Sequence, residues 1–353
     1  MEDRLGVLVV DDSAFMRKVI TEIINTSDTF YVVSTARNGL DALEKLEQYG
    51  PEIQLVTLDI QMPKMDGLEC LRRIMTEHPR RVVMVSSLTT EGAEETMKAL
   101  EYGAIDFIAK PGGMAISLDF EQVAPQLLGI LTVASRSRLP KPGAPQLSRI
   151  THKVAPIESS RALRGHRRLV VVASSTGGPK ALASFIPALP RNLHAAMIII
   201  QHMPATFTQF MANRLDQASQ IKVKEAREGD QLQEGQCLVA PGGYHLEVTR
   251  AEAVRLTKDP PIGGLRPCAD LTLKTVAPVF GSRAMAVVLT GMGHDGTEGC
   301  RTLKGRGSPV LAESRTSALI WGMPRSVVEK GLADREVVIS EMAQAVVDTI
   351  NTL

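Results

Sequence analysis

The sequence has little net charge and few cysteines, and each shortage excludes a class of protein. The formal net charge of the 353 residues is +1, which removes any electrostatic case for binding nucleic acid or an acidic membrane surface. The four cysteines are scattered without a C-x-x-C pair, so neither a disulfide framework nor a zinc site is expected. No apolar run reaches about 18 residues, and no basic-then-apolar signal pattern opens the chain. We therefore expect a soluble cytoplasmic protein with no direct membrane insertion.

Short apolar runs alternate with amphipathic segments over residues 5–133, a pattern typical of βα units. Units of this length predict a doubly wound open sheet of parallel strands with helices on both faces. The predicted strands end in polar side chains, which are Asp11, Asp12, Asp59, Ser86 and Lys110. Parallel strands end at one edge of a sheet, so three carboxylates there require a cation, and an all-oxygen set suits Mg²⁺. The alternative is that each is a separate loop or cap residue.

Between residues 134 and 168 the composition changes to Ser, Arg, Pro, Lys and Gly, and no apolar period survives. Residues 141–145 read Lys-Pro-Gly-Ala-Pro, which rules out a helix there. The sequence therefore predicts a domain at 1–133, a flexible linker at 134–168 and a second domain at 169–353. A nucleic-acid-binding arm is the alternative for this basic segment, and the lack of interleaved aromatic residues disfavours it.

The alternation resumes after Leu169 and predicts a second open α/β sheet, mostly parallel, with a small antiparallel insertion. Three of its predicted strands end in Ser175, His202 and Asp295. A serine hydrolase needs a nucleophile, a base that takes its proton and a carboxylate that orients the imidazole. The alternatives are that Ser175 caps a helix, that His202 is a core histidine and that Asp295 is a turn residue.

Several details of these segments bear on the assignment. The chain order Ser, His, Asp and the absence of Gly-x-Ser-x-Gly do not indicate the α/β-hydrolase superfamily. Ser174 offers a second hydroxyl beside Ser175, and His294 is an alternative base beside Asp295. The remaining histidines of this region, His194 and His245, are expected at the surface.

The first domain resembles the receiver domain of bacterial response regulators. The segments that carry the resemblance are Val-Val-Asp-Asp-Ser at 9–13, Leu-Asp-Ile-Gln-Met-Pro-Lys-Met-Asp-Gly at 58–67 and Asp-Phe-Ile-Ala-Lys-Pro at 106–111. The resemblance implies a flavodoxin-like fold in which a sensor kinase phosphorylates Asp59. It also implies that Asp11, Asp12, Asp59 and the backbone carbonyl of Gln61 hold Mg²⁺. The switch residues implied by the resemblance are Ser86, Phe107 and Lys110.

The second domain is similar to the catalytic domain of the chemotaxis protein-glutamate methylesterase/glutaminase family. The segments concerned are Ala-Ser-Ser-Thr-Gly-Gly at 173–178, Gln-His-Met-Pro at 201–204 and Leu-Thr-Gly-Met-Gly-His-Asp-Gly at 289–296. The resemblance implies an esterase that hydrolyses γ-glutamyl methyl esters on the cytoplasmic helices of chemoreceptors, releasing methanol, and deamidates certain glutamines. Ser175, His202 and Asp295 would be its catalytic residues, and the N–H groups of Thr176 and Met292 its oxyanion site. The family usually has Gly-Ala before the nucleophile, where this chain has Ala173 and Ser174.

Taken together, the two resemblances imply a hydrolase regulated by phosphorylation in chemotaxis adaptation. Its partners would be methylated chemoreceptors and the chemotaxis histidine kinase as phosphodonor, with Mg²⁺ in the receiver and no cofactor for ester hydrolysis. The resemblance also implies that the unphosphorylated receiver covers the active-site face. A DNA-binding output is excluded by the missing helix-turn-helix pattern, whereas a catalytically idle scaffold that binds receptors stays open.

Overall fold

The computed structural model describes residues 4–87, 89–110, 116–137 and 167–353. The chain divides into two compact units, residues 1–148 and 149–353. Residues 138–166, which make up most of the predicted linker, lie outside the described residues. The helix that closes the first unit ends at Arg136, past the predicted limit of residue 133. The linker and the exact domain limits therefore stay predictions.

The first unit alternates strands and helices throughout. Its strands are β1 (Leu5–Val10), β2 (Phe30–Ala36), β3 (Leu55–Asp59), β4 (Arg81–Ser86) and β5 (Asp106–Ala109). Its helices are α1 (Ala14–Asn25), α2 (Gly39–Tyr49), α3 (Gly67–Glu77), α4 (Thr90–Glu101) and α5 (Ile116–Arg136), with a 3₁₀ turn at Gly50–Glu52. The first three helices begin at side-chain caps, because the oxygens of Ser13, Asn38 and Asp66 accept N–H groups of the first turn.

The five strands form one parallel sheet in the order β2-β1-β3-β4-β5. The central strands β1 and β3 are apolar and almost completely buried, as expected for strands covered on both faces. Because every strand runs in the same direction, the residues that follow them collect at one edge. The predicted doubly wound architecture of this unit is confirmed.

The second unit contains nine strands and six α-helices in its described residues. The strands are β6 (Leu169–Ser174), β7 (Ala196–Gln201), β8 (Lys222–Glu225), β9 (Gln236–Val239), β10 (His245–Val248), β11 (Val254–Thr257), β12 (Ala284–Val288), β13 (Val310–Glu313) and β14 (Arg335–Val337). The helices are α6 (Gly178–Phe185), α7 (Ala205–Ala218), α8 (Ala269–Phe280), α9 (Thr297–Lys304), α10 (Met323–Glu329) and α11 (Met342–Thr352). Short 3₁₀ turns lie at Ile186–Ala188, Gly281–Arg283 and Ile339–Glu341.

Seven of these strands form a parallel sheet in the order β14-β13-β12-β6-β7-β9-β8. The strand β6 lies in the middle, and its six residues are all buried. Alternate residues Leu169, Val171 and Ala173 belong to the same buried cluster as Leu273 and Val276 of α8. The sheet therefore packs against α8, and the first turn of α8 lies at the carboxyl edge of the sheet, where its N–H groups bond Asp295.

Two details of the second unit could not be predicted from the sequence pattern. Residues 244–258 contain the antiparallel hairpin β10-β11, because the chain turns back between Val248 and Val254. The edge strand β14 has only three residues, which carry too little pattern to predict a strand. In the described ranges, no helix has both the length and the apolar character needed to cross a membrane.

Candidate functional site

The turn after β6 carries two adjacent hydroxyls whose surroundings differ. Ser174 is fully buried, and its hydroxyl donates a hydrogen bond of 2.7 Å to Oε1 of Gln201. Ser175 is partly exposed, and its hydroxyl makes no hydrogen bond within the described part of the chain. Gly178 opens α6 beside them, where a Cβ would lie 2.0 Å from Oε1 of Gln201, so glycine is required. Of these two hydroxyls, a substrate can reach only that of Ser175.

Neighbouring strands bring His202 next to this turn. The strand β7 pairs with β6, and the N–H of His202 donates to the carbonyl of Ser174 at 3.1 Å. The strand β12 pairs with β6 on the other side, and the N–H of Ser175 donates to the carbonyl of Thr290 at 3.0 Å. The buried amide of Gln201 donates from Nε2 to the carbonyls of Ser175, at 2.9 Å, and of His202, at 3.1 Å. Gln201, to which sequence analysis gave no role, therefore fixes the main chain of both residues.

Asp295 contacts the imidazole and the first turn of α8 at the same time. Nε2 of His202 donates to Oδ2 of Asp295 at 2.8 Å, and the side chains are 9% and 6% exposed. The same Oδ2 accepts the N–H of Ala269 at 2.6 Å. The other oxygen, Oδ1, accepts the N–H groups of Asp270 and Gly296, each at 2.9 Å. The carboxylate is therefore held in one orientation, and it engages Nε2 of His202 while Nδ1 makes no hydrogen bond to a described residue.

The environment of Asp295 keeps the carboxyl ionised. Burial raises its pKa, but the hydrogen bond and charge of His202 and the N–H groups of Asp270 and Ala269 outweigh burial and hold the pKa well below its usual range. Cys268, at the start of α8, donates from Sγ to Oδ1 of Asp295 at 3.1 Å. Burial, together with the charge of Asp295, raises the pKa of this thiol to about 12, so Cys268 is a donor here and no nucleophile.

Two backbone N–H groups near Ser175 are open to a ligand. Those of Thr176 and Met292 donate no hydrogen bond to any described residue. The side chain of Thr290 holds the two segments together, because its Oγ1 donates to the carbonyl of Thr176 at 3.0 Å and accepts the N–H of Ile320 at 2.8 Å. The N–H of Gly291 is occupied by the carbonyl of Ile320 at 3.1 Å. The arrangement offers two donors for a negatively charged oxygen.

The other histidines considered from sequence lie apart from this contact. His294 is exposed, whereas its neighbour Asp295 is buried. His194 is partly exposed, and its Nδ1 lies 3.5 Å from Oε2 of Glu234. The prediction for His245 was wrong, because this side chain is fully buried in β10 and its Nε2 lies 3.2 Å from the carbonyl of Pro260. The alternation of side chains along β10 does not show which of its two faces is covered by other elements, so the sequence does not reveal that His245 is buried.

The first unit brings three carboxylates and one ammonium together at the carboxyl edge of its sheet. Ligand atoms of Asp11, Asp12 and Asp59 all lie within 4.8 Å of one another. Nζ of Lys110 lies 2.9 Å from Oδ2 of Asp11 and 2.8 Å from Oδ2 of Asp59. Burial and the charge of Asp11 together raise the pKa of Asp59 to about 6, against the lowering effect of Lys110. The pair of buried carboxylates is thus incompletely neutralised.

The cluster fits a hard divalent cation. Asp11 and Asp59 are buried, and their Oδ2 atoms share the ammonium of Lys110 as their one partner among the described residues. Asp12 is exposed at the rim, as is Gln61 on the loop after β3. An all-oxygen donor set in which one ammonium faces three carboxylates is the chemistry that Mg²⁺ prefers.

Of the predicted switch residues, Ser86 ends β4, Phe107 lies on β5 and Lys110 directly follows β5. Ser86 is buried, donates to the carbonyl of Gly92 at 3.1 Å and accepts the hydroxyl of Thr96 at 2.7 Å. Phe107 is partly exposed on β5, which pairs with β4. The hydroxyl of Ser86 is therefore held by α4, and Thr96 is a partner that sequence analysis did not identify.

Comparison with known proteins agrees with both units. Residues 170–346 match the family model of the CheB methylesterase, and residues 7–116 match that of the response regulator receiver domain. The chain is 44% identical over 364 residues to the protein-glutamate methylesterase/protein-glutamine glutaminase of Symbiobacterium thermophilum, covering 98% of each chain. It is 42% identical over 356 residues to the enzyme of the same name from Pyrococcus abyssi, covering 99% of this chain and 95% of that one.

A solved structure matches the second unit. The CheB methylesterase catalytic domain of Thermotoga maritima is 39% identical, with a TM-score of 0.51, and the match covers 52% of this chain and 99% of that one. The receiver match and the esterase match together account for both compact units. From these matches and the full-length relatives we conclude that the chain belongs to the CheB family of protein-glutamate methylesterases/protein-glutamine glutaminases.

Proposed function

We propose that this chain hydrolyses γ-glutamyl methyl esters on chemoreceptors to glutamate and methanol, and deamidates certain receptor glutamines. The observation that carries the proposal is a partly exposed serine hydroxyl on a turn whose main chain is hydrogen-bonded to that of His202 and Thr290, in a unit where the N–H groups of Thr176 and Met292 have no acceptor among the described residues. The serine is Ser175, and His202 is bonded to Asp295. The family of the chain gives the substrate class, a methylated glutamate side chain on a receptor helix.

The first half of the reaction makes an acyl-enzyme. Oγ of Ser175 attacks the ester carbonyl carbon while Nδ1 of His202 takes the hydroxyl proton. Asp295 stabilises the resulting imidazolium through the Nε2 hydrogen bond. The N–H groups of Thr176 and Met292 receive the oxyanion, a contribution of about 3 kcal/mol for each donor. Collapse of the intermediate breaks the C–O bond, and the imidazolium returns its proton to the departing methoxide, giving methanol.

The second half releases the receptor. Water attacks the ester that joins Ser175 to the glutamyl side chain, and His202 takes the proton of the water. The same oxyanion site stabilises the second intermediate, and Ser175 leaves with a proton from the imidazolium. A glutamine substrate follows the same path with ammonia as its leaving group. These steps use side chains and main-chain N–H groups alone, so the proposed ester hydrolysis requires no cofactor.

The receiver is proposed to control this activity through Asp59, with a histidine kinase as phosphodonor. Asp11, Asp12, Asp59 and the carbonyl of Gln61 would hold Mg²⁺, which neutralises charge on the transferring phosphoryl group. Lys110 is already within ion-pair distance of Asp59 and would pair with the phosphoryl oxygens. To raise the active fraction from about 1% to about 99%, phosphorylation must favour the active state by roughly 5.5 kcal/mol.

Methanol release from a methyl-labelled receptor fragment, with and without acetyl phosphate, tests the proposal. Ser175→Ala should abolish release in the full chain, whereas Ser174→Ala should retain it, because only the hydroxyl of Ser175 is accessible. Ser174→Ala is the matched control, since it removes a hydroxyl one residue away. An inactive Ser174→Ala beside an active Ser175→Ala would contradict the assignment of the nucleophile. Receptor binding without any methanol release would favour an idle scaffold instead.

A further inference from the structure

Glu313 is a buried carboxylate that the proposed mechanism does not use. It ends β13 and is 1% exposed, and no cation pairs with it among the described residues. Both oxygens instead accept hydrogen bonds. Oε2 accepts the N–H of Thr290 at 2.8 Å, and Oε1 accepts the hydroxyl of Ser317 at 2.9 Å. Burial of a carboxylate without a cation is unfavourable, so the presence of Glu313 at this position requires an explanation.

Thr290 connects Glu313 to both proposed oxyanion donors. Its Oγ1 bonds the carbonyl of Thr176, and its main chain leads through Gly291 to Met292. Its N–H is bonded to Oε2 of Glu313. A displacement of Thr290 would therefore move the N–H groups of Thr176 and Met292 together.

Glu313 also holds the loop at residues 314–322, which packs against the nucleophile turn. The hydroxyl of Ser317, bonded to Oε1, accepts the N–H of Ile339 at 3.0 Å. Nε1 of Trp321 donates to the carbonyl oxygen of Glu313 at 3.1 Å. A Cβ at Gly177 would lie 2.8 Å from the side chain of Leu319, so this loop is in close contact with the turn.

We propose that Glu313 is a positioning residue of the oxyanion site, acting through Thr290 and the loop at 314–322. The inference rests on the proposed function, because the N–H groups of Thr176 and Met292 matter only if an oxyanion forms at Ser175. Such a donor is effective only at about 2.7–3.1 Å from the developing charge. Loosening the loop by about 0.5 Å therefore removes part of the stabilisation without removing a group that touches substrate.

Two variants of Glu313 separate hydrogen-bond acceptance from charge. In Glu313→Gln, the amide oxygen can accept the N–H of Thr290 while Nε2 donates to Ser317. The hydroxyl of Ser317 can then turn to the carbonyl of Ser314, which already lies 3.4 Å away. Glu313→Met has a similar length but no oxygen acceptor, so the N–H of Thr290 is left unpaired in the interior.

Steady-state kinetics of the phosphorylated full chain on methyl-labelled receptor provide the first measurement. In Glu313→Met, kcat should fall by about 10–100-fold with KM unchanged, because the lost contacts act on the transition state. Glu313→Gln should keep kcat within about threefold of wild type, since it keeps the acceptor for Thr290. Equal losses of kcat in the two variants, or a normal kcat in Glu313→Met, would overturn the proposal.

Ser308→Ala is the matched control for loss of a buried hydrogen bond, because Ser308 is 3% exposed and its hydroxyl donates to the carbonyl of Gly281 at 2.7 Å, before the start of β13. It should lower the Tm while kcat stays within about threefold. If Glu313→Met does not fold, Thr290→Val is the alternative, because it removes only the Oγ1 bonds to Thr176 and Ile320. It too should lower kcat by about tenfold at constant KM, and a normal kcat would count against the proposal.

Amide hydrogen exchange gives a readout that needs no substrate. The amide of Thr290 should exchange about tenfold faster in Glu313→Met than in wild type, but not in Glu313→Gln. Unchanged exchange in Glu313→Met would refute the positioning role whatever the substrate. Faster exchange together with a wild-type enzyme that releases no methanol would instead count against the proposed function.

Discussion

Asp295→Asn is a nearly isosteric change that the surroundings of this carboxylate do not tolerate. Both oxygens of Asp295 accept main-chain N–H groups, Oδ2 from Ala269 and Oδ1 from Asp270 and Gly296. An asparagine has one acceptor oxygen, so its NH₂ group must face at least one of these donors in either orientation. If the NH₂ group takes the place of Oδ1, the N–H groups of Asp270 and Gly296 both lose their acceptor. If it takes the place of Oδ2, only the N–H group of Ala269 loses its acceptor.

The second orientation costs less, and it is the one that inactivates the enzyme. The NH₂ group then faces Nε2 of His202, which has to become the acceptor and moves the ring proton to Nδ1. Nδ1 is the atom that must accept the proton of Ser175, so kcat should fall by about 10⁴-fold, as expected for the wrong tautomer. One buried N–H without an acceptor should lower the free energy of unfolding by about 1–3 kcal/mol.

Urea unfolding of the full chain can measure the stability of this unit alone. Trp321 is the single tryptophan of the chain, so its fluorescence reports the second unit without a signal from the first. The pKa of Asp295 is lower in the folded protein than in the unfolded chain. The ionised carboxylate therefore contributes fully to the free energy of unfolding when the pH is well above the ordinary pKa of 3.8, and this contribution declines as the pH falls below 3.8. The stability gap between wild type and Asp295→Asn should therefore be full at pH 7 and smaller at pH 3. A constant gap, or a kcat within tenfold of wild type, would refute this reasoning.

Three further changes have definite expected outcomes. Asp59→Asn should block phosphate incorporation from acetyl phosphate but leave basal methanol release measurable, and phosphate on another residue of the wild type would contradict the assignment. Gly67→Ala should destabilise the receiver by about 1–3 kcal/mol in calorimetry, because its Cβ would lie 2.0 Å from the carbonyl oxygen of Asp59. Gln201→Glu should lower kcat by about tenfold or more, because a carboxylate oxygen would face the carbonyls of Ser175 and His202. An unchanged kcat would argue against the role of Gln201 in fixing the main chain of these two residues.

The general position of the site could be predicted from sequence because parallel strands end at one edge of their sheet. Asp59 and Lys110 follow strands that the apolar pattern identifies, so their proximity follows from topology. The choice between Ser174 and Ser175 could not be made in this way, because it depends on where β6 ends and which hydroxyl Gln201 engages. The role of Glu313 was equally hidden, since its partner Thr290 is 23 residues away, in the loop after β12.

The position of β6 in the middle of the seven-stranded sheet has a consequence for synthesis of the protein. Its partners lie on both sides, β7 soon after it in the chain and β12 only at Ala284–Val288. A nascent chain that has emerged only as far as β7 therefore leaves one edge of β6, with its Leu-Val-Val-Val-Ala-Ser sequence, without a partner. Such an apolar, unpaired edge is a site for aggregation, and it is covered only once β12 has left the ribosome.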